Sequence, residues 1–269
     1  MKISYREVRP SAALQPYVDC YWLQSFDGNA SEMSPTQRCP PFGMMEILAD
    51  LGNNICEAYF EGKWVQLPKV FLAGMYQDTI IWRAGSGTKK FGVRLKPETF
   101  HMLFDVPSSA LYSNYTLMEN IVGCKAKAYS DNISEARDLE TVIAHTEAFL
   151  LSQLKKNEQE HNYIIEAAKL IRSVKGNMSM EELCRSVYIS ERQLQRGFRR
   201  EIGITPKTYL KIIRFRNAYR SMQRAGDLTA LSLDSGYFDQ AHFNHEFKEF
   251  TGLRPKMMLM NESQVYGWS

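Results

Sequence analysis

The sequence predicts two domains: a mainly β N-terminal domain with flanking helices, and an all-α C-terminal domain in which a long helix joins two similar helical units. Three observations support this prediction. Residues 1–122 hold short apolar runs bounded by Gly, Pro and Asn, as strands do. Residues 162–262 carry helix start signals and an internal repeat. A nearly all-polar stretch, Ser152 to Asn162, lies between them. We therefore expect domains at 1–155 and 162–262.

The composition is that of an ordinary globular protein, with 44% hydrophobic and 23% charged residues. A chain of 269 residues can bury two domain cores. No window approaches the roughly 18 apolar residues that a membrane span needs, and the first residues lack the apolar core of a signal peptide. These features predict a cytoplasmic protein that does not enter the membrane.

The cysteines and histidines argue against disulfides, metals and metal-dependent catalysis. Five cysteines are scattered without a C-x-x-C pair, which fits a reducing compartment and no zinc site. Metal-dependent barrels of the cupin type need about three His and a carboxylate, yet only His101 precedes residue 140, in a segment that is typical of a helix. We therefore expect neither a metal nor another cofactor.

The charge is unevenly divided between the two parts. Residues 162–269 hold 17 Lys and Arg against 11 Asp and Glu, whereas residues 1–161 hold 16 against 19. A basic C-terminal part indicates contact with a polyanion such as DNA. A solvated basic face is the alternative that charge alone leaves open.

The N-terminal part predicts strands at irregular spacing, arranged as a small barrel or sandwich. Its candidate strands are the runs YVDCYWLQSF, MMEILADLG, ICEAYF, KWVQLPKVFLAGM, TIIWRAGSG and KFGVRLKP.

A helix from about Ser134 to Leu154 closes this domain. An apolar stripe recurs along it near helical spacing, at Leu139, Val142, Ile143, Leu150 and Leu154. The stripe predicts that the helix pairs two chains into a dimer. Packing against its own domain would require the same stripe and stays open as the alternative.

The C-terminal part has clear helix start signals. Ser179 and Glu182 form a capping-box pattern, and Ser190 and Gln193 repeat it. The other predicted start signals are Asn162, Thr205-Pro206, Asp227, Asp239 and Arg254-Pro255.

Two segments of this part are related by an offset of 49 residues. The matched pairs are Leu194 with Phe243, Phe198 with Phe247, Gly203 with Gly252, and Pro206 with Pro255. Each segment predicts a short helix, a turn and a second helix, which is the helix-turn-helix pattern. The second helix of such a motif enters the major groove of DNA and needs hydrogen-bonding side chains on its outer face.

The outer faces of the two second helices carry such side chains. The first set is Arg192, Gln193, Gln195, Arg196 and Arg199, and the second is Gln240, Ala241, Asn244 and His245. His242 lies just inside its cap, within reach of a phosphate or a base. Solvated surface residues are the alternative for each position, and a helical protein–protein module is the alternative for the whole repeat.

The segment from Asn162 to Met260 resembles the DNA-binding domain of the AraC/XylS family of bacterial transcription regulators. The most specific residues are LSLDSGYFDQAHFNHEFKEFTGLRP, supported by MEELCRSVYISERQLQRGFRREIGITPKTYLKIIRFRNAY. The resemblance implies seven helices, with two recognition helices in successive major grooves. It also implies base contacts at Arg192, Gln195, Arg196, Gln240, Asn244 and His245.

Two residues depart from that family pattern. His245 stands where Arg is common, so the second helix is expected to contribute less to base recognition. Ser232 replaces a small apolar residue and is expected to loosen the second unit.

The N-terminal part resembles that of uncharacterised AraC-type regulators, on P-x-x-V-x-x-Y-W at Pro16 to Trp22, GVRLKPETFHMLFDVPSSAL and TLMENIVG. That resemblance implies a cupin-like sensory domain without an agreed ligand. Five aromatic residues either line an effector cavity or fill the core: Trp22, Tyr59, Trp64, Trp82 and Phe91. Cys39 before Pro40-Pro41 is either a reactive thiol or a buried, inert one.

The predicted function is a sequence-specific DNA-binding transcription regulator that responds to an effector through its N-terminal domain and acts as a homodimer. The expected partners are duplex DNA and a small molecule of unknown identity. The predicted DNA-binding residues are Arg192, Gln195, Arg196, Arg199, Lys207, Gln240, His242, Asn244 and His245. The alternatives are a constitutive dimeric DNA-binding protein, and an enzyme with a DNA-binding appendage such as an alkyl-transfer repair regulator. The sequence lacks the Cys-rich metal site of the latter, so we expect no enzyme.

Overall fold

The structure is a computed structural model that describes residues 1–52, 54–104, 106–111, 115–154, 162–222, 225 and 227–260. Most of the predicted polar joint, residues 155–161, lies outside the described residues. No described helix is both long and apolar enough to cross a membrane.

The N-terminal domain is built from two antiparallel sheets. Its described strands are β1 (Lys2–Val8), β2 (Val18–Asp27), β3 (Gln37–Cys39), β4 (Met45–Asp50), β5 (Cys56–Phe60), β6 (Lys63–Gln66), β7 (Val70–Ala73), β8 (Ile80–Ala84), β9 (Lys89–Leu95) and β10 (Tyr115–Leu117). The larger sheet has the order β1-β2-β9-β4-β7-β10 and the smaller one β3-β8-β5-β6. The prediction of a mainly β N-terminal domain is therefore confirmed.

The two faces of the larger sheet have different neighbours because side chains alternate along a strand. On one face, Phe91 of β9 stacks with Tyr21 of β2, with ring centroids 6.3 Å apart. Tyr21 also donates a hydrogen bond to Glu147 of a covering helix at 3.2 Å. On the other face, Trp22 and Lys90 line a cavity together with residues of the smaller sheet. The sheets thus enclose a cavity on one side, and helices cover the other.

The helices of this domain are α1 (Phe100–Leu103), α2 (Glu119–Val122), α3 (Cys124–Glu135) and α4 (Leu139–Gln153), and short 3-10 turns lie at Pro97–Thr99 and Ser108–Leu111. His101 lies on α1, as predicted. The closing helix predicted from Ser134 begins only at Leu139, because Asp138 caps it by accepting from the Thr141 amide at 2.7 Å. Ser134 belongs to the preceding helix α3.

The predicted dimer stripe on α4 is mostly part of the core. Val142 is 1% exposed and Leu150 is fully buried. Phe149 stacks on Tyr129 of α3 with ring centroids 4.5 Å apart. The stripe therefore packs against its own domain, and the outward positions of α4 are instead Glu140, Ala144, Ala148, Leu151 and Ser152.

The C-terminal domain has seven helices in its described part, the number that the family resemblance implied. They are α5 (Tyr163–Ser173), α6 (Met180–Ser186), α7 (Glu191–Glu201), α8 (Pro206–Met222), α9 (Leu228–Asp234), α10 (Gln240–Thr251) and α11 (Pro255–Met260). Both capping boxes form. Asn162, Asp227 and Asp239 cap α5, α9 and α10 as predicted.

The 49-residue repeat has a structural counterpart. Its four apolar members, Leu194, Phe198, Phe243 and Phe247, are fully buried. Gly203 and Gly252 have φ angles of 92° and 72°, a conformation that side chains with a Cβ rarely adopt. In both units the glycine ends the recognition helix, and the proline three residues later begins the next one.

The two domains meet at several contacts between described residues. Arg172 of α5 forms a bidentate ion pair with Glu98, and Ser108 donates to the Glu201 carbonyl at 2.6 Å. Phe42 packs edge-on against Tyr219 of α8, with ring centroids 5.6 Å apart. Thr79 donates to the Phe250 carbonyl of α10 at 2.6 Å. The N-terminal domain therefore touches both helix-turn-helix units.

Candidate nucleic-acid interface

The first recognition helix, α7, is held by its apolar face. Leu194 and Phe198 are fully buried, and Gly197 lies against α5. A Cβ added at Gly197 would lie 2.5 Å from the Ile164 side chain, so only glycine allows this approach. The tight contact fixes which face of α7 is turned outward.

The outward face of α7 is cationic. Arg192, Arg196 and Arg199 are exposed, and no hydrogen bond or ion pair joins them to another described residue. Their guanidinium groups can therefore approach an external anion or base without breaking an internal contact. Arginine suits this role because its fork can donate two hydrogen bonds to guanine.

Glutamine side chains on α7 are already engaged. Gln195 is half-buried and donates to Glu191 at 2.8 Å. Gln193 belongs to the capping box with Ser190. Contact with a base would require Gln195 to exchange its bond to Glu191.

Lys207, at the second position of α8, is exposed on the helix that joins the units.

The second recognition helix, α10, presents fewer charges. Ala241 and His245 are exposed, Asn244 is half-buried, and Gln240 receives a hydrogen bond from Thr229 of α9 at 3.3 Å. This set can donate and accept hydrogen bonds. The smaller contribution of the second helix to base recognition stays a prediction.

His242 is positioned as part of the turn before α10. Its Nδ1 accepts from the Phe238 amide at 3.5 Å, and its ring meets the edge of Tyr237 at 5.3 Å. Its Nε2 lies 4.0 Å from Glu246. Because both ring nitrogens face groups of its own unit, His242 is better placed to orient α10 than to read a base.

A charged pair that sequence reasoning missed fastens α10 to α8. Arg214 contacts Glu246 at 2.6 Å, and Glu246 is almost fully buried. The Arg214 guanidinium also lies 4.8 Å above the Tyr237 ring. Burial is the largest single influence and lowers the pKa of the Arg214 guanidinium, but the hydrogen bonds and the charge of Glu246, together with Tyr237, raise it overall. The only available signal was a charged residue at Glu246, inside the apolar spacing of α10.

Ser232 does not leave an unsatisfied group in the second unit. It is fully buried, and its hydroxyl donates to the Thr229 carbonyl at 2.7 Å. Because the hydroxyl is paired, the structure gives no reason for the expected loosening.

Two exposed aromatic residues beside the recognition helices were also missed. Tyr188 is 93% exposed just before α7, and Phe238 is 87% exposed just before α10. Tyr188 has a φ of 55°. Both lie in the turns of the two units, but the repeat does not show their exposure, since at the 49-residue offset Tyr188 matches Tyr237, which is 3% exposed.

The N-terminal cavity contains only some of the aromatic residues proposed for it. Trp22 and Trp82 line it. Tyr59 and Trp64 contact each other on the opposite face of the smaller sheet, where Arg83 lies over Trp64. Phe91 packs in the core on the helix-covered face of the larger sheet.

Cys39 also lines the cavity, where it lies 3.0 Å from the Tyr76 hydroxyl. Burial raises the pKa of the Cys39 thiol to about 12. A thiol that stays protonated at neutral pH is a poor nucleophile, so the structure favours the inert interpretation. The five cysteines are free, and the described residues hold no cluster of three or more His, Cys, Asp or Glu that would bind a metal.

Comparison with known proteins gives two family matches. A helix-turn-helix domain family matches residues 183–260, and a family described as a domain of unknown function (DUF6597) matches residues 6–116.

The chain is also similar to named regulators. It is 32% identical over 82 residues to the probable thc operon regulatory protein of Rhodococcus erythropolis, and 29% identical over 97 residues to the transcriptional activator RhaR of Escherichia coli K12. These matches cover 29% and 36% of this chain, and 25% and 34% of the relatives. The chain thus spans a quarter to a third of the curated relatives' length. Their names are those of regulators.

A solved structure, ToxT from Vibrio cholerae, aligns over 86% of this chain and 98% of that one, with 10% identity and a TM-score of 0.48. The two family matches lie in the two domains that the fold and the repeat define. A helix-turn-helix domain thus follows a domain of unknown function, and these matches support the resemblance to the AraC/XylS family.

Proposed function

We propose that the protein is a transcription regulator that binds specific sequences in duplex DNA. One observation carries this proposal: two helix-turn-helix units turn the outer faces of α7 and α10 to solvent, while the repeated apolar residues bury the inner faces. The three unpaired arginines of α7 supply the charge and the bidentate donors that a major groove accepts.

The outward residues divide into two roles by their surroundings. Arg192, Arg196 and Gln195 are assigned to base edges because they lie in the N-terminal and central turns of α7. Arg199 and Lys207 are assigned to phosphates. On α10, Gln240, Asn244 and His245 face outward, whereas His242 orients the helix.

An effector response is the second part of the proposal, with domains at 1–155 and 162–262. The cavity wall includes Cys39, and four residues later Gly43 lies against α8, where an added Cβ would be 3.1 Å from Ile213. A ligand that shifts β3 would therefore press on the helix that joins the two DNA-binding units. If no ligand binds, the same contacts between the cavity wall and α8 fit the alternative of a DNA-binding protein that needs no effector.

We also propose a homodimer in the cytoplasm, because joining two DNA-binding domains adds about 10²–10⁴ in avidity. The apolar stripe of α4 is occupied by its own domain, so pairing through α4 must use its outer face, at Ala144, Ala148 and Leu151.

The test of DNA binding uses Arg196→Ala in the full-length chain. Loss of a forked guanine contact is expected to cost about 1–3 kcal/mol on a selected duplex and much less on a random one. Lys89→Ala is the matched control, since it removes one positive charge from an exposed site in the N-terminal domain. Fluorescence anisotropy measures both variants. Equal losses on the two duplexes would refute the base-reading role of Arg196.

A further inference from the structure

The cavity of the N-terminal domain is lined mostly by apolar and aromatic side chains. It has a volume of about 120 Å³. Trp22, Leu48 and Phe71 contribute from the larger sheet, and Phe60 and Trp82 from the smaller one. A dry apolar cavity of about 150 Å³ accommodates benzene, so this somewhat smaller space takes a ligand body of at most about one ring.

Two hydrogen-bond donors of this cavity have no nitrogen or oxygen acceptor among the described residues. Lys90 is 3% exposed and Gln24 is 2% exposed, and neither Lys90 Nζ nor Gln24 Nε2 has such an acceptor within hydrogen-bond distance. The two residues are direct cross-strand neighbours of β9 and β2, and both line the cavity. Neighbouring unpaired donors in a buried space call for an acceptor.

The neighbouring charges leave the Lys90 ammonium without a close counter-ion. Glu46 is taken by Arg94 at 3.0 Å and by the Trp22 indole at 2.9 Å. Asp50 lies opposite Lys90 across the strands, but its carboxylate accepts from the Gly52 amide, and no ion pair within 4.0 Å joins it to Lys90. Lys90 Nζ instead lies 5.0 Å above the Phe71 ring.

The sulfur of Cys56 is a weak alternative partner for that charge. Burial raises the pKa of the Cys56 thiol, and the Lys90 charge only partly opposes the rise. A neutral thiol cannot neutralise an ammonium group. A buried charge without a counter-charge is costly, so this cavity favours a ligand that brings a negative charge.

We propose that this cavity binds a small monocarboxylate with an aromatic or short branched body. The carboxylate receives hydrogen bonds from Lys90 and Gln24, and the apolar body lies between Trp22, Phe71 and Trp82. A phosphate or sulfate ester would bring more polar oxygens than the apolar walls can satisfy. A sugar would need more polar partners than the mainly apolar walls offer.

The consequence for DNA rests on the proposed function, whereas binding of the acid does not. Cys39 and Tyr76 form one wall of the cavity. The segment that follows Cys39 contains Phe42, which packs against Tyr219 of α8. An acid that moves this wall changes the packing of the helix between the two DNA-binding units.

The experiment is calorimetric titration of the full-length chain with benzoate, phenylacetate and 4-methylpentanoate, each beside its neutral amide. At least one acid is expected to bind, and about 10-fold more tightly than its amide. Lys90→Met is expected to weaken that acid by about 10-fold to 100-fold and to remove the preference over the amide. Lys89→Met, on the exposed face of the same strand, is the matched control and keeps both.

Thermal unfolding of Lys90→Met gives a second, independent readout. Replacing an uncompensated buried charge by an apolar chain of similar length is expected to leave the melting temperature unchanged or raise it. A marked fall would mean that Lys90 is already paired in the free protein and would overturn the proposal. The proposal would also be overturned if none of the three acids bound, since the cavity would then hold only water. Equal affinity for the acids and their amides would overturn it as well. DNA binding that persists in those cases leaves the proposed function intact.

Discussion

The ion pair between Glu98 and Arg172 is the described contact that most directly tests how the domains are joined. Glu98 is 1% exposed and Arg172 is 21% exposed, and the guanidinium contacts both carboxylate oxygens. Glu98→Gln keeps the size of the side chain but removes its charge. Arg172 would then remain largely buried without a counter-charge, and its acceptors would be the amide oxygen at position 98 and the Tyr209 hydroxyl at 3.0 Å.

The magnitude follows from that geometry. Removing one member of a buried pair costs about 3–5 kcal/mol, and the partial exposure of Arg172 places this case near 3 kcal/mol. For a chain of this size, each kcal/mol lowers the melting temperature by about 2–4 °C, so a fall of roughly 6–12 °C is expected. Calorimetry of the full-length chain measures it.

The control for this prediction lies on the same helix. Glu166 pairs with Lys169 at 3.1 Å, but both side chains are at least half exposed. Glu166→Gln should therefore cost less than about 0.5 kcal/mol, as exposed pairs do. If Glu98→Gln lowers the melting temperature no more than Glu166→Gln, the two domains are not held together as described.

Four further predictions follow from particular contacts. Lys207→Ala should weaken binding to selected and random duplexes equally, and it should reduce the slope of log affinity against log salt concentration by about 1. Fluorescence anisotropy in a salt series measures both effects, and a loss confined to the selected duplex contradicts the phosphate role of Lys207. Leu150→Glu should abolish the circular dichroism signal of the native fold because Leu150 is fully buried. A variant that stays folded but becomes monomeric would instead mean that Leu150 lies in a dimer interface. Gly92→Ala should cost about 1–3 kcal/mol in urea unfolding, since an added Cβ would lie 2.0 Å from the Trp22 ring, and no change would contradict this packing. Alkylation of Cys39 by iodoacetamide should stay slow up to pH 9 because its thiol has a pKa of about 12, and rapid labelling at pH 8 contradicts that burial.

The C-terminal domain was the more predictable part because its signals are local. A capping box is formed by residues three positions apart, and Ser179 and Ser190 each determine a helix start whatever surrounds them. The repeat then fixed which apolar residues face inward. Side-chain partners such as Gln195 and Glu191 were less predictable, because the sequence does not reveal which polar residues pair with each other.

The N-terminal domain was less predictable because its defining contacts join distant residues. The edge strands β1 and β10 and the short strand β3 were missed: β1 mixes polar and apolar residues and has no apolar run, and the other two have three residues each. The break between α3 and α4 lacks Gly and Pro, so α4 was predicted to start too early. Glu98 and Arg172 are 74 positions apart, and no local pattern joins them.

The most direct test of sequence-specific DNA binding is selection of duplexes from a random library by the full-length chain, followed by titration of the selected duplexes across salt concentrations. We expect enrichment of a motif with two blocks about 10–10.5 base pairs apart, one for each recognition helix. Affinity for it should fall steeply as salt rises, since basic side chains displace counter-ions from phosphates. No enriched sequence, or binding that ignores salt, would contradict the account of α7 and α10 as DNA-reading helices.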